Sequence, residues 1–195
     1  MDAYPVMRKW HAECRVSQFD DGKIANIAPK NNNPSFFSGL LAGSVGWGDA
    51  CIIVPYEMYS RYGDTRILSE NYEMMKKWYA FLEERAKKLP VNPVKRFKRN
   101  PYRRYTIETG IDYGEWCEPD VESTSAMRTP QGKVATAFFA YSGRMLAEIA
   151  VILGKEDDAA YYSKTAEMAK KAWRFIATED GKTDCYSLVQ YLQFF

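Results

Sequence analysis

Two amphipathic stripes joined across one glycine constrain this chain more than anything else in it. Phe138, Tyr141, Met145, Leu146, Ile149, Ile152 and Leu153 share one helical face and stop at Gly154, which is placed to take the left-handed position after a helix end. After a very short turn, Tyr162, Ala166, Ala169, Trp173 and Ile176 form a second stripe. A connection this short forces the two helices antiparallel, so the segment is expected to be an αα-hairpin.

Similar patterns precede it. Tyr72, Met75, Trp78, Tyr79 and Leu82 form a third stripe, with Asp64 expected as N-cap ahead of it and Pro90 as its stop. A fourth helix is expected over about 55–62, opening on Pro55, which a first helical turn tolerates, and closing at Gly63. Further helices are expected over 6–19 and 186–195, the last running out in apolar sequence. No strand pattern of comparable length and no fixed-period repeat accompanies them. Helix pairs with apolar residues on more than one face cannot close a core alone, which points to a toroid or solenoid of hairpins rather than a four-helix bundle.

Composition narrows the class. With 46% hydrophobic and 27% charged residues over 195 positions the balance is globular, and no apolar run approaches the roughly 20 residues that span a bilayer, so no membrane segment is expected. A net charge of +2 gives no global pull toward nucleic acid or anionic lipid. Cys14, Cys51, Cys117 and Cys185 form no C-x-x-C pair and His11 is the only histidine, so no metal site is expected and the thiols read as mostly buried and free. The first residues, Met1-Asp2-Ala3-Tyr4-Pro5, have neither a basic nor an apolar leader region, so no signal peptide is visible and the compartment, cytoplasmic or periplasmic, stays open.

Chemistry concentrates in two loops. Gly46-Trp47-Gly48-Asp49-Ala50 sets an aromatic plate and a carboxylate on a glycine-flanked turn. Such a pair suits a carbohydrate, whose ring face packs on an aromatic while its hydroxyls bond to carboxylates. It equally suits a buried tryptophan beside an aspartate that caps the next helix. The second loop lies in a proline-rich connection from Pro90 to Gln131, where Asp112-Tyr113-Gly114-Glu115-Trp116-Cys117-Glu118-Pro119-Asp120 repeats the same chemistry. A connection this long inside a compact domain is usually functional or mobile. Its first half interleaves basic and aromatic residues over 95–105, but one basic loop on a near-neutral chain lacks the footprint of a nucleic-acid binder and reads as solvated surface. Most aromatic residues on the helical stripes are expected in the core.

The loops and their order carry a resemblance. Gly46-Trp47-Gly48-Asp49-Ala50 with Val54-Pro55-Tyr56 and Tyr62-Gly63-Asp64, then Gly114-Glu115-Trp116, then Ala135-Thr136-Ala137-Phe138-Phe139-Ala140-Tyr141-Ser142 with Leu146-Ala147-Glu148, resemble the catalytic domain of bacterial α-L-rhamnosidases, glycoside hydrolase family 78. The likeness runs from the helix around Trp10 to about Gly181. It implies an all-α fold, part of an (α/α)6 six-hairpin toroid, and an enzyme that releases terminal α-L-rhamnose from glycosides with inversion and without a cofactor. It also implies flanking β-domains as intramolecular partners.

Matched position by position, the resemblance makes Trp47 and Trp116 walls of the rhamnose pocket, where the ring face and C5 methyl need apolar cover. It makes Asp49 polar support for that pocket or a helix cap. Glu115 stands where the family usually has Asp, which lengthens its reach by one methylene. The family's general acid lies in an Asp-Glu-Arg run followed by Gly-Trp, and its base in a Trp-Glu motif. Neither occurs in this sequence. The resemblance therefore implies the central part of a longer enzyme, 1–195 being truncated at both ends, with no catalytic carboxylate, inactive in isolation and prone to self-association. Three alternatives stay open: a six-hairpin glycosidase acting on glucosides or uronides, a non-catalytic helical-repeat module, and an acid–base pair made by Glu115 and Asp49 themselves.

Overall fold

A computed structural model of the chain describes residues 2–30, 42–88, 100–114 and 132–177. They form five α-helices: α1 (Tyr4–Ser17), α2 (Ala50–Tyr62), α3 (Arg66–Lys87), α4 (Gly132–Ile152) and α5 (Glu156–Ala177), with a single 3-10 turn at Arg103–Tyr105. No strand occurs among the described residues. The C-terminal helix expected over 186–195, the stop at Pro90, Cys117 and Cys185 lie outside them.

The hairpin of α4 and α5 forms as its stripes require. Gly154 takes φ 70°, Lys155 N–H bonds to Ala150 C=O at 2.8 Å and Gly154 N–H to Val151 C=O at 3.0 Å, which together satisfy the carbonyls a helix end leaves open. α2 ends in the same manner at Gly63, whose N–H reaches Tyr59 C=O at 2.8 Å. α2 and α3 form a second pair, both of them touch α4, and α1 leans on α2 and α3. Tyr72, Met75, Trp78, Tyr79 and Leu82 of α3 are all buried, joined in one core by Ile52, Ile67, Leu68, Phe139, Leu146 and Ile149. α4 is long and apolar enough to cross a membrane by composition, but 61% of that window is buried inside the fold, as in the core helix of a soluble protein.

Two helix starts differ from the sequence expectation. α2 begins at Ala50, so Pro55 sits inside the helix and is buried. The turn that precedes it winds straight into the helix, with Cys51 N–H on Gly48 C=O at 3.1 Å and Ile52 N–H on Asp49 C=O at 2.9 Å, and the single bond that Pro55 cannot donate is lost within a packed segment. Thr65, not Asp64, holds the N-cap position of α3. The Asp64 carboxylate still accepts the Arg66 N–H at 2.9 Å from one residue further back, and also takes the Arg66 guanidinium.

Cys14 and Cys51 are buried free thiols, and burial pushes Cys14 up to about 11. Beside Cys14 on α1, His11 is fully buried, edge-on to Trp10 at 4.8 Å, and neither ring nitrogen has a hydrogen-bond partner among the described residues. Burial, assisted by the Arg15 charge, lowers its pKa from 6.5 to about 4. The folded state thus holds His11 neutral where the unfolded chain takes up a proton, so stability is complete at neutral pH and falls as pH drops through this window. Denaturation curves should lose about 2 kcal/mol between roughly pH 8 and pH 5 on this account, and His11→Leu should flatten that slope. An unchanged slope would show that His11 does not carry it.

The connections divide between the two ends of the helices. Gly63 and Gly154 close short turns at one end. At the other, the described segments 43–49 and 106–114 both reach the last turn of α3 at Arg85.

Candidate functional site

The first loop motif is a turn built to hold its tryptophan outward. Gly46 takes φ 85°, open to glycine at little cost, and its N–H bonds to Asp49 Oδ2 at 2.7 Å. Gly48 lies flat on the Trp78 indole, where a Cβ would come within 2.5 Å of the ring. Asp49 Oδ1 accepts Trp78 Nε1–H at 3.1 Å and Ser142 Oγ–H at 2.5 Å, tying the turn to α3 and α4 together. Between the glycines, Trp47 is 58% exposed.

Neither half of the alternative reading, a buried tryptophan with a capping aspartate, describes this turn. Asp49 stands at the N-cap position of α2, yet its carboxylate reaches back to Gly46 and makes no cap bond to the helix. It is fully buried and holds three donors, so it shapes the turn from below. Burial pushes the Asp49 carboxyl above the usual carboxylate range. The donors from Ser142, Gly46 and Trp78 pull it back, and the charge of Asp112 adds a smaller upward push.

The second loop is anchored the same way. Asp112 is buried and pairs with Arg85 of α3 through both oxygens, at 3.0 and 2.9 Å, and its Oδ1 also accepts Val45 N–H from the first loop at 2.7 Å. The Arg85 guanidinium further donates to Gly43 C=O at 3.1 Å and, from Nε at 3.0 Å and from Nη2, to Thr109 C=O. Tyr113 follows, its N–H on Ser44 Oγ at 3.1 Å. In each loop, then, a buried acid carries a more exposed aromatic neighbour.

These aromatic neighbours meet. The rings of Trp47 and Tyr113 lie 5.2 Å apart and are inclined at 57°. Asn26, from the connection after α1, touches both: its carbonyl accepts Trp47 Nε1–H at 3.2 Å and its Nδ2 donates to Tyr113 Oη at 3.0 Å. Chemically this corner offers apolar ring faces and amide hydrogen bonding, the surface that binds an amphipathic ligand. The carboxylates of Asp49 and Asp112 already hold their donors. No group of three or more His, Cys, Asp or Glu side chains that could hold a metal occurs among the described residues. Glu115 and Trp116, the other site residues expected from sequence, lie outside those residues.

Asn26 and Arg85 are not among the residues the sequence motifs name, and Ser142 appears there only as the end of the Ala135–Ser142 run, without its bond to Asp49. A readable signal existed for two of them. Arg85 continues the α3 stripe three residues beyond Leu82, and Ser142 falls four beyond Phe138 on α4, both polar groups at apolar-face positions. Asn26 carries no such mark.

The family model described as the bacterial alpha-L-rhamnosidase 6 hairpin glycosidase domain matches residues 1–192. The alpha-L-rhamnosidase of Formosa agariphila is 31% identical over 182 residues, which cover 93% of this chain and 17% of that protein. Among solved structures, the Streptomyces avermitilis alpha-L-rhamnosidase complexed with L-rhamnose superposes with a TM-score of 0.69 at 28% identity, covering 93% of this chain and 15% of that one. The alpha-L-rhamnosidase of Dictyoglumus thermophilum gives 0.64 at 27%, covering 89% and 17%. The chain therefore spans about a sixth of the length of these relatives.

Proposed function

Because the chain belongs to the bacterial alpha-L-rhamnosidase six-hairpin glycosidase domain family, and its helices are part of that (α/α)6 toroid, we propose that it forms the saccharide-binding part of a glycoside hydrolase releasing terminal α-L-rhamnose. The observation that carries this reading is the exposed Trp47, held outward by a turn whose Gly48 and Asp49 pack and bond onto α3 and α4 beneath it. An apolar wall of this kind suits the ring face and C5 methyl of a 6-deoxy sugar. Trp116 is the further wall and Glu115 the polar edge, with Asp49 as support.

The reaction is inversion without a cofactor. A general acid protonates the leaving oxygen while a base activates water, the two carboxyls standing roughly 6.5 to 9.5 Å apart. Since neither family motif for them occurs in the sequence, both are supplied from outside these 195 residues, and the isolated chain does not turn over aryl α-L-rhamnosides.

Trp47→Ala in the enzyme that carries this domain tests the reading. Loss of a wall that touches sugar in ground and transition state should lower kcat/KM by about 5- to 150-fold, equivalent to about 1 to 3 kcal/mol, with the melting temperature nearly unchanged. Unchanged kinetics on an aryl α-L-rhamnoside would overturn it.

A further inference from the structure

We infer that Asn26 is a positioning residue of the saccharide site, that it fixes Trp47 and Tyr113 as the two walls of one aromatic corner, and that Tyr113 is a second ring in contact with the sugar. This rests on the reading of Trp47 as a sugar wall. Asn26 belongs to neither loop motif, yet it bonds to both aromatic side chains: its peptide oxygen takes the indole N–H at 3.2 Å and its amide Nδ2 reaches the phenol oxygen at 3.0 Å. The two groups leave one residue in different directions, so a single side chain and its own backbone set both the 5.2 Å ring separation and the 57° inclination.

The segment that carries Asn26 is itself held. Ile24 is buried in the core, Ala28 packs against it, and Ile24 C=O accepts Gly43 N–H at 3.1 Å at the base of the first loop. A brace with a fixed foot can keep two aromatic side chains in their bound orientation before a ligand arrives, and that removes part of the ordering a sugar would otherwise impose on binding. Inclined rings also suit the ligand class. A 6-deoxyhexose presents its ring face and its C5 methyl in different planes, and two walls at an angle cover both where a parallel stack would cover one. The tyrosine adds a hydroxyl at the edge of the corner, the amphipathic character typical of aromatic binding residues.

The test is a double-mutant cycle in the enzyme that carries this domain, with an aryl α-L-rhamnoside as substrate and L-rhamnose as competitive inhibitor. Asn26→Ala removes the amide but keeps the backbone carbonyl on Trp47, so its effect should pass through Tyr113. We expect KM and the L-rhamnose inhibition constant to rise about three- to tenfold with kcat changed less than about twofold. In a Tyr113→Phe background the same substitution should have no further effect, because the bond it breaks is already gone. Asn26→Asp, which can accept from the Tyr113 hydroxyl instead of donating to it, should restore most of the loss. Additive effects of Asn26→Ala and Tyr113→Phe, or a lowered melting temperature with unchanged KM, would overturn the inference. So would a silent Asn26→Ala beside an impaired Trp47→Ala, with the saccharide reading left standing, whereas a silent Trp47→Ala removes that reading itself.

Discussion

Replacing Arg85 with methionine should destabilise the fold by about 3 to 5 kcal/mol, the range for breaking a buried ion pair from one side. Arg85 and Asp112 have side chains only 5% exposed, so removal of the guanidinium strands a carboxylate out of reach of water. It also takes donors from the carbonyls of Gly43 and Thr109, one in each long connection. Arg85→Lys keeps the charge but not the planar fork, and should fall between the two. The double change Arg85→Met with Asp112→Asn should recover part of the loss, because no uncompensated charge is then left inside. Urea denaturation of the three variants checks the order, and a loss below about 1 kcal/mol for Arg85→Met would mean that water or a neighbour reaches the stranded acid.

Asp49→Ala should cost a similar amount, about 3 to 5 kcal/mol, for a different reason. Three donors, the part-buried Gly46 N–H and the buried Trp78 Nε1–H and Ser142 Oγ–H, converge on this carboxylate and would lose their acceptor together. The desolvation that raises the Asp49 pKa works in the other direction, since a charge that is hard to bury is removed along with the bonds. Asp49→Asn separates these contributions. Its amide oxygen can still serve Trp78 and Ser142, while its NH2 meets the Gly46 N–H donor to donor, so a loss of about 1 to 3 kcal/mol is expected. With the turn loosened, Trp47 should lose its fixed presentation, visible as a change in indole fluorescence polarisation. If Asp49→Ala and Asp49→Asn prove equally mild, the donors have found other acceptors and the turn does not depend on this residue.

How much of this was legible in the sequence follows from distance along the chain. The α4–α5 hairpin and its Gly154 closure could be read directly, because helical periodicity and a glycine stop are local signals. α2 starts five residues ahead of Pro55, where a local proline rule yields to the turn that winds into the helix, and the N-cap of α3 falls one residue past Asp64, within the ordinary spread of a helix boundary. Closure into a six-hairpin toroid came from the order of several motifs, not from any one helix. In the site, Trp47 could be named but not its exposure. What decides that exposure is Asp49, whose partners lie 29 and 93 residues away, at Trp78 and Ser142. The same holds for Asn26, 87 residues from Tyr113. Pairings of that span leave no periodic trace.

The short-turn end of the helices offers a practical opening. A Cβ built at Gly63 or Gly154 would meet nothing within 4 Å, and both residues sit at the end opposite the aromatic corner. Their left-handed backbone disfavours most side chains, although asparagine adopts it readily, and an inserted glycine-rich tether would keep the conformation. A fluorophore or a surface linker attached there would point away from the aromatic corner. Immobilised through Gly154, the chain would present Trp47 and Tyr113 outward to solution, where the proposed saccharide binding can be read directly.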